Sequence, residues 1–421
     1  MPTLNKIRTA VLGRSGPKPS DPALRRLRTA LTLFFALDGL LFAGWVVRIP
    51  AIKEQTGASA GALGLALLGV SAGAVATMTV TGRLCRRFGS HPVTVAAGLL
   101  MSLGIALPPL THSALALGLV LLVFGAAYGG LNVAMNSAAV DLVAALRRPV
   151  MPSFHAAFSL GGMLGAGLGG LVAGQLSVTR HLLLLTAVGL LLSVVAGRAL
   201  LSRPAPAADR TAAPAKRDGG TSGHERGTAD RGQGTAGRTR GLVAVFGLIA
   251  LCDAYGEGAL ADWGALHLQQ DLGARSGLAA VGYSVFALTM TVGRLTGSRL
   301  LERLGQTRTL VAGGATAALG MLLGSLAPTV WAALAGFAIT GFGLANIFPV
   351  AIGRAGELAG PSGVATASTF GYGGMLLGPP AIGFLADWFS LPIALTTVAA
   401  LAAVAAAIAY GTRNVVRSAS R

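Results

Sequence analysis

Residues 114–142 read ALALGLVLLVFGAAYGGLNVAMNSAAVDL, a run in which Asp141 is the only charged side chain. A helix rises 1.5 Å per residue, and a hydrocarbon core about 30 Å thick takes about 20 apolar residues to cross. The run is therefore long enough to span a bilayer. It is too long and too continuous for a barrel strand, and only a helix satisfies its own backbone groups over such a length in lipid. Eleven similar runs surround it, at roughly 31–50, 60–82, 93–111, 153–176, 181–201, 242–265, 277–298, 308–327, 330–353, 362–386 and 391–411. The expected fold is an all-α membrane protein with twelve transmembrane helices.

The composition agrees. Of 421 residues, 53% are apolar and 11% charged, with a mean hydropathy of +0.68, whereas soluble chains carry about 25% charged residues. A soluble enzyme is excluded on that ground. The net charge of +18 does not point to nucleic acid, because the basic residues lie between apolar runs and not along one amphipathic face. Assigning the termini and alternate loops to one side places 29 of the 33 Lys and Arg there, leaving Arg48, Lys53, Arg180 and Arg275 on the other. The positive-inside bias then puts both termini in the cytoplasm of a bacterial inner membrane. Cys85 and Cys252 offer neither a disulfide framework nor a metal-binding spacing.

Residues 1–30 and 203–240 are rich in Pro, Gly, Arg, Thr and Asp without apolar periodicity, so both are expected to be disordered. The second is a linker between six spans (31–202) and six more (241–412), with a short tail at 413–421. An internal repeat follows this division. A shift of 216 residues lays Arg87-Phe88-Gly89 on Arg303-Leu304-Gly305, and a shift of 212 lays Phe158 to Leu164 on Phe370 to Leu376. Two six-helix pseudo-symmetric halves place a substrate site near the midplane between them.

These features resemble the major facilitator superfamily over essentially the whole chain. Gly82-Arg83-Leu84-Cys85-Arg86-Arg87-Phe88-Gly89 is similar to its signature loop, with Arg86 where an acid is usual. The second half keeps that acid as Glu302 before Arg303. Within the superfamily, three stretches resemble the fucose permease-like sugar:proton symporters: Val292 to Gly297, Tyr255-Gly256-Glu257 with Trp263, and Gly341-Phe342-Gly343 followed by Ile347-Phe348-Pro349, beside which Asn346 lies. Gly44-Trp45-Val46-Val47-Arg48-Ile49-Pro50 is similar to text in a little-characterised bacterial subgroup. The two acids of the fucose permease pattern are missing, their positions being taken by Asn132 and Val46.

A charge at the bilayer centre costs at least about 2.5–3.5 kcal/mol on insertion scales, so acids inside spans are functional candidates. Asp38 lies in span 1, Asp253 and Glu257 in span 7. The latter two are spaced i,i+4 on one helical face, where two carboxyls resist being ionised together and can share a proton. Glu257 is the expected proton carrier, with Asp253 and Asp38 beside it. Simple pairing with an Arg of a neighbouring helix is the competing reading. Asp262 is expected to turn away from this face and, beside Trp263, to anchor the interface. Arg294 either clamps substrate, serves as counter-ion, or snorkels. Arg48 is read as snorkelling. Asn132 and Asn136 share a face of span 4 and, with Glu257, Arg294 and Asn346, make up the expected substrate-binding set. His155 is read as structural. At the cytoplasmic surface the resemblance implies a gate formed by Arg83, Arg87, Asp141, Glu302 and Arg303, with Arg87 paired to Asp141.

The functional expectation is a monomeric secondary transporter of a small-molecule substrate in the lipid bilayer, working by alternating access. Protons are the coupling ion, and no cofactor, metal or nucleic acid is called for. Uptake is favoured. Efflux of a metabolite or drug is the alternative, on the expectation of a cavity with few aromatic residues. A membrane-embedded enzyme would need a metal or nucleophile cluster, and six scattered His provide none.

Overall fold

The computed structural model describes residues 22–146, 150–202 and 229–413. Each apolar run within them is helical, as backbone satisfaction in lipid requires. In chain order the helices are α1 (Pro22–Val46), α2 (Ile49–Thr56), α3 (Ala60–Phe88), α4 (Ser90–Gly104), α5 (Ala114–Leu146), α6 (Met151–Ala173), α7 (Val178–Leu201), α8 (Ala229–Gln270), α9 (Ser276–Leu304), α10 (Gln306–Leu326), α11 (Val330–Leu344), α12 (Ile347–Trp388) and α13 (Leu391–Gly411). No strand occurs among the described residues.

Eleven stretches are long and apolar enough to cross a membrane. The expected run 362–386 falls within α12, whose helical assignment continues from the preceding span without a break. The Phe348 ring nevertheless packs on Gly371, and in a straight helix residues so spaced stand about 35 Å apart. The backbone therefore reverses inside α12, and its two arms are separate crossings. Helices α1 and α8 open at Pro22 and Ala229, inside the stretches 1–30 and 203–240 expected to be unstructured. Once a span has nucleated a helix, each further residue adds a hydrogen bond at little cost, so the helix extends beyond the apolar run. The remainder of the tail and linker, 1–21 and 203–228, lies outside the described residues.

The repeat is visible in the backbone. Gly89 (φ 90°) and Gly305 (φ 75°) each form a one-residue joint between two helices, and each donates its N–H to the carbonyl four residues back at 2.9 Å. Only glycine adopts such a φ without steric cost. In the first half α1 packs against α6 and α7, and α5 against α3 and α4; in the second α8 packs against α12 and α13, and α10 against α11 and α13. Small residues make these contacts close. A Cβ on Gly161 or Gly165 of α6 would meet the carbonyls of Ala36 and Leu40 in α1, and one on Gly374 of α12 would meet that of Leu251 in α8. Lipid gives apolar helices no hydrophobic reason to associate, so such backbone proximity carries the packing. Large side chains including Leu171, Leu191, Leu319 and Trp331 stay exposed on the lipid-facing surface.

Arg48 does not snorkel. It is buried between α1 and α2, donating from Nε to His181 Nδ1 at 2.8 Å and from its terminal nitrogens to the carbonyls of Ala173 at 3.2 Å and Leu176 at 3.3 Å. These carbonyls at the end of α6 have no helical partner, which gives a guanidinium more acceptors inside than it would find at the surface.

Candidate functional site

The halves meet along α3 with α12 and α6 with α9. Polar contacts between them lie at mid-depth, where the Ser71 hydroxyl donates to the Met375 carbonyl at 3.5 Å, and toward the face opposite the one that carries the joints at Gly89 and Gly305. Asp387 of α12 accepts hydrogen bonds from the Ala60 N–H (2.9 Å), the Gly61 N–H (2.7 Å) and the Ser59 hydroxyl (2.8 Å). A carboxylate at a helix N-terminus satisfies orphan N–H groups and complements the helix dipole. Nearby, Gly64 abuts the Pro379 carbonyl and Gly170 abuts Gly277. The halves are thus in close contact at the far face.

Between them lies a cavity of about 230 Å³. From the first half it is lined by Gly39, Phe42, Trp45, Ser71, Tyr128 and Asn132, and from the second by Glu257, Asp262, Tyr283, Thr291, Arg294 and Tyr372, among others. Arg294 of α9 donates from Nη2 to Glu257 Oε1 of α8 at 2.7 Å, the two side chains being 40% and 28% exposed inside the span region. They stand on neighbouring helices of one half, not on opposite walls. Arg294 also donates from Nε to the Ala345 carbonyl at 3.3 Å. That carbonyl belongs to a break between α11 and α12, and irregular backbone at membrane depth persists only where such partners reach it.

Of the expected substrate set, Asn132, Glu257 and Arg294 line the cavity, and Asn136 and Asn346 do not. Asn136 donates to the Asn132 carbonyl at 2.8 Å, while Asn346 donates to the Gly293 carbonyl at 2.9 Å and so ties the break to α9. Asp38 and Asp253 are buried, with carboxyl oxygens that make no hydrogen bond. Asp38 adjoins the cavity through Gly39, and Asp253 lies one turn from Glu257 but off the lining. At the basic face, the Arg87 guanidinium lies 5.1 Å from the Phe88 ring centroid. His155 is exposed and packs edge-on against Phe35.

Three expectations change. Trp263 is fully buried within the protein and so presents no ring to the lipid headgroups. Asp262 lines the cavity together with Glu257, Gly258 and Ala261. At 100° per residue the centre of that face lies about 70° from Glu257 toward Asp262, so the two acids flank it and Asp253, about 40° to the other side, turns away. Treating Glu257 as the centre of the face misplaced both aspartates; the small pair Gly258 and Ala261 between the acids was the available signal. Nor is the cavity poor in aromatics, since Phe42, Trp45, Tyr128, Phe158, Tyr283, Phe286 and Tyr372 all line it. Three of the chain's five Tyr are among them, and a Tyr within an otherwise apolar span, whose hydroxyl needs a polar neighbour, was a readable sign.

The Major Facilitator Superfamily model matches the chain in two stretches, residues 31–252 and 246–420. Over 389 residues the chain is 33% identical to an uncharacterized MFS-type transporter of Yersinia pestis, covering 91% of this chain and 95% of that protein. It is 28% identical to membrane protein MosC of Rhizobium meliloti, covering 92% and 90%. Among solved structures it is similar to the nucleoside transporter NupG, at 15% identity and a TM-score of 0.70 over 91% of this chain and 98% of that one. It is also similar to a bacterial homolog of the human lysosomal transporter Spinster in an inward-facing, occupied conformation, at 14% identity and a TM-score of 0.72 over 94% and 98%. Relatives and fold are those of transporters and not of enzymes, and the chain belongs to the Major Facilitator Superfamily.

Proposed function

We propose that this transporter takes up a small polar solute together with protons across a bacterial inner membrane, with Glu257 as the residue that carries the proton. The observation that supports this most is the Glu257–Arg294 pair at 2.7 Å on the wall of a solvent-reached cavity deep in the spans. Ionised, Glu257 is held by Arg294; protonated, it releases the guanidinium to a substrate oxygen. A cavity that closes around a neutral carboxyl and a substrate-bound Arg avoids burying an unpaired charge, which is the costly event in any rocking motion. Asp253 and Asp38 are secondary proton stations by this reading. The charge bias of the loops supports a cytoplasmic basic face, and on that orientation the contacts at the far face make this an inward-facing state of a monomeric carrier. Uptake draws on the symporter-like stretches around Glu257, Arg294 and Asn346.

A second reading, proton-driven efflux of a metabolite or drug, rests on the two missing symporter acids at Asn132 and Val46, while the seven aromatic side chains of the cavity remove the other ground for it, an aromatic-poor lining. Both readings use the same carboxyl. A thermal-shift screen of the purified protein across sugars, nucleosides, amino acids and drugs identifies a solute, because a binder stabilises the folded state by mass action. In proteoliposomes with a pH gradient of either sign, that solute should be concentrated by the wild type with the sign that fixes direction. Glu257→Gln should keep counterflow exchange and lose gradient-driven accumulation. Accumulation by Glu257→Gln with the wild-type pH profile would sink the assignment.

A further inference from the structure

The cavity is lined by more carboxyls than cations. Its charged lining residues are Glu257, Asp262 and Arg294, with no Lys or His. Arg294 is engaged by Glu257, which leaves Asp262 without a hydrogen bond or ion pair among the described residues. Behind the wall lie two more carboxyls, Asp38 and Asp253. A carboxylate in so apolar a chamber is stable only with a cationic or donor partner. Among the described residues nothing provides one for Asp262, yet Tyr283 stands within electrostatic reach of it and of Glu257, and Trp45, Phe42, Tyr128 and Phe286 complete the walls. A carboxylate among aromatic faces is the arrangement that recognises an ammonium group, through a charge-assisted hydrogen bond on one side and ring quadrupoles on the others. Asn132, Ser71 and Thr291 remain for hydroxyls on the body of the solute.

From this we infer that the transported solute carries a protonated amine, and that Asp262 is the residue that selects it. The inference deepens the uptake reading and rests on the same cavity, but assigns the specificity to a different carboxyl from the one that carries the proton. The amine sits between Asp262 and Tyr283, on the far-face flank of the groove floored by Gly258 and Ala261. The Glu257–Arg294 pair lies on the other flank, where a hydroxyl or carbonyl oxygen of the solute would engage the guanidinium.

The test uses matched probes that differ only in amine against hydroxyl or hydrogen: glucosamine with glucose, and tyramine with tyrosol. Binding to the purified full-length protein is followed by thermal shift and calorimetry at pH 7. At least one amine should bind about tenfold or more tightly than its counterpart, a difference of about 1.4 kcal/mol. Asp262→Asn should erase that preference and Asp262→Glu should retain part of it. An amine preference in the wild type needs no variant to be read, so a misfolded Asp262→Asn does not hide the answer. The inference is overturned if neither amine is preferred, or if Asp262→Asn folds and keeps the preference. Either result leaves proton coupling through Glu257 standing, whereas proton-driven accumulation by Glu257→Gln removes that coupling and leaves amine selection by Asp262 in place.

Discussion

Arg48 is 3% exposed and donates to four acceptors contributed by α6, α7 and the turn between them. Each buried acceptor left without its donor costs about 1–3 kcal/mol, so Arg48→Ala should lower the unfolding free energy by roughly 2–4 kcal/mol. Arg48→Lys should recover less than half, because an ammonium cannot fork across separated carbonyls. Thermal unfolding in detergent checks both, and an unchanged midpoint in Arg48→Ala would show the network to be incidental. The intramembrane acids and Arg294 were legible from sequence, since polar residues in spans announce themselves by cost alone. What could not be read was their orientation. Spacing gives the angle between two side chains on a helix but not the direction of the cavity, and for that reason Asp262 was placed outside and Asp253 inside. Asn136 and Asn346 failed for a related reason: an amide's backbone partner is invisible until the chain is folded.

On the scale of elements, α6 contains its own control. A Cβ at Gly165 would meet the backbone of Leu40 in α1, while one at Gly167 would have nothing within 4 Å. Overpacking costs about 1–3 kcal/mol, whereas Ala in place of an unencumbered helical Gly gains up to about 1 kcal/mol. Gly165→Ala should therefore lower the thermal midpoint and Gly167→Ala should hold or raise it. Equal midpoints for the two would contradict the close α1–α6 approach. The spans and the paired joints at Gly89 and Gly305 were readable because hydropathy and a glycine flanked by helix formers are local signals. The reversal within α12 was readable as well, as the gap between the runs 330–353 and 362–386, whereas the break at Ala345 was not, since it depends on partners such as Arg294 that the chain supplies from elsewhere.

At the scale of the whole molecule, the six-plus-six plan follows from the repeat, but the state of the two gates does not, because one sequence encodes both. Here the far face is closed through Asp387. Asp387→Asn removes the charge and one acceptor from the start of α3, so it should shift the population toward the state open at that face. Reaction of a Ser71→Cys reporter with a membrane-impermeant thiol reagent from the periplasmic side, on the proposed orientation, should quicken severalfold in that background with Cys85 and Cys252 replaced. An unaltered rate would mean that the closure rests on the glycine contacts instead. Those contacts have a consequence of their own. Apart from Asp387, Phe384 and an exposed Lys53–Gln270 hydrogen bond at 3.4 Å, the seam is built from Ser59, Ala60, Gly61, Gly64, Gly170 and Gly277, residues with almost no rotamers to freeze. A seam of long charged side chains would forfeit up to about 2 kcal/mol of side-chain entropy for each one ordered at every closing stroke. This one meets and parts as two smooth, already rigid surfaces, so the tempo of the stroke is set by how readily a single carboxylate lets go of the end of a helix.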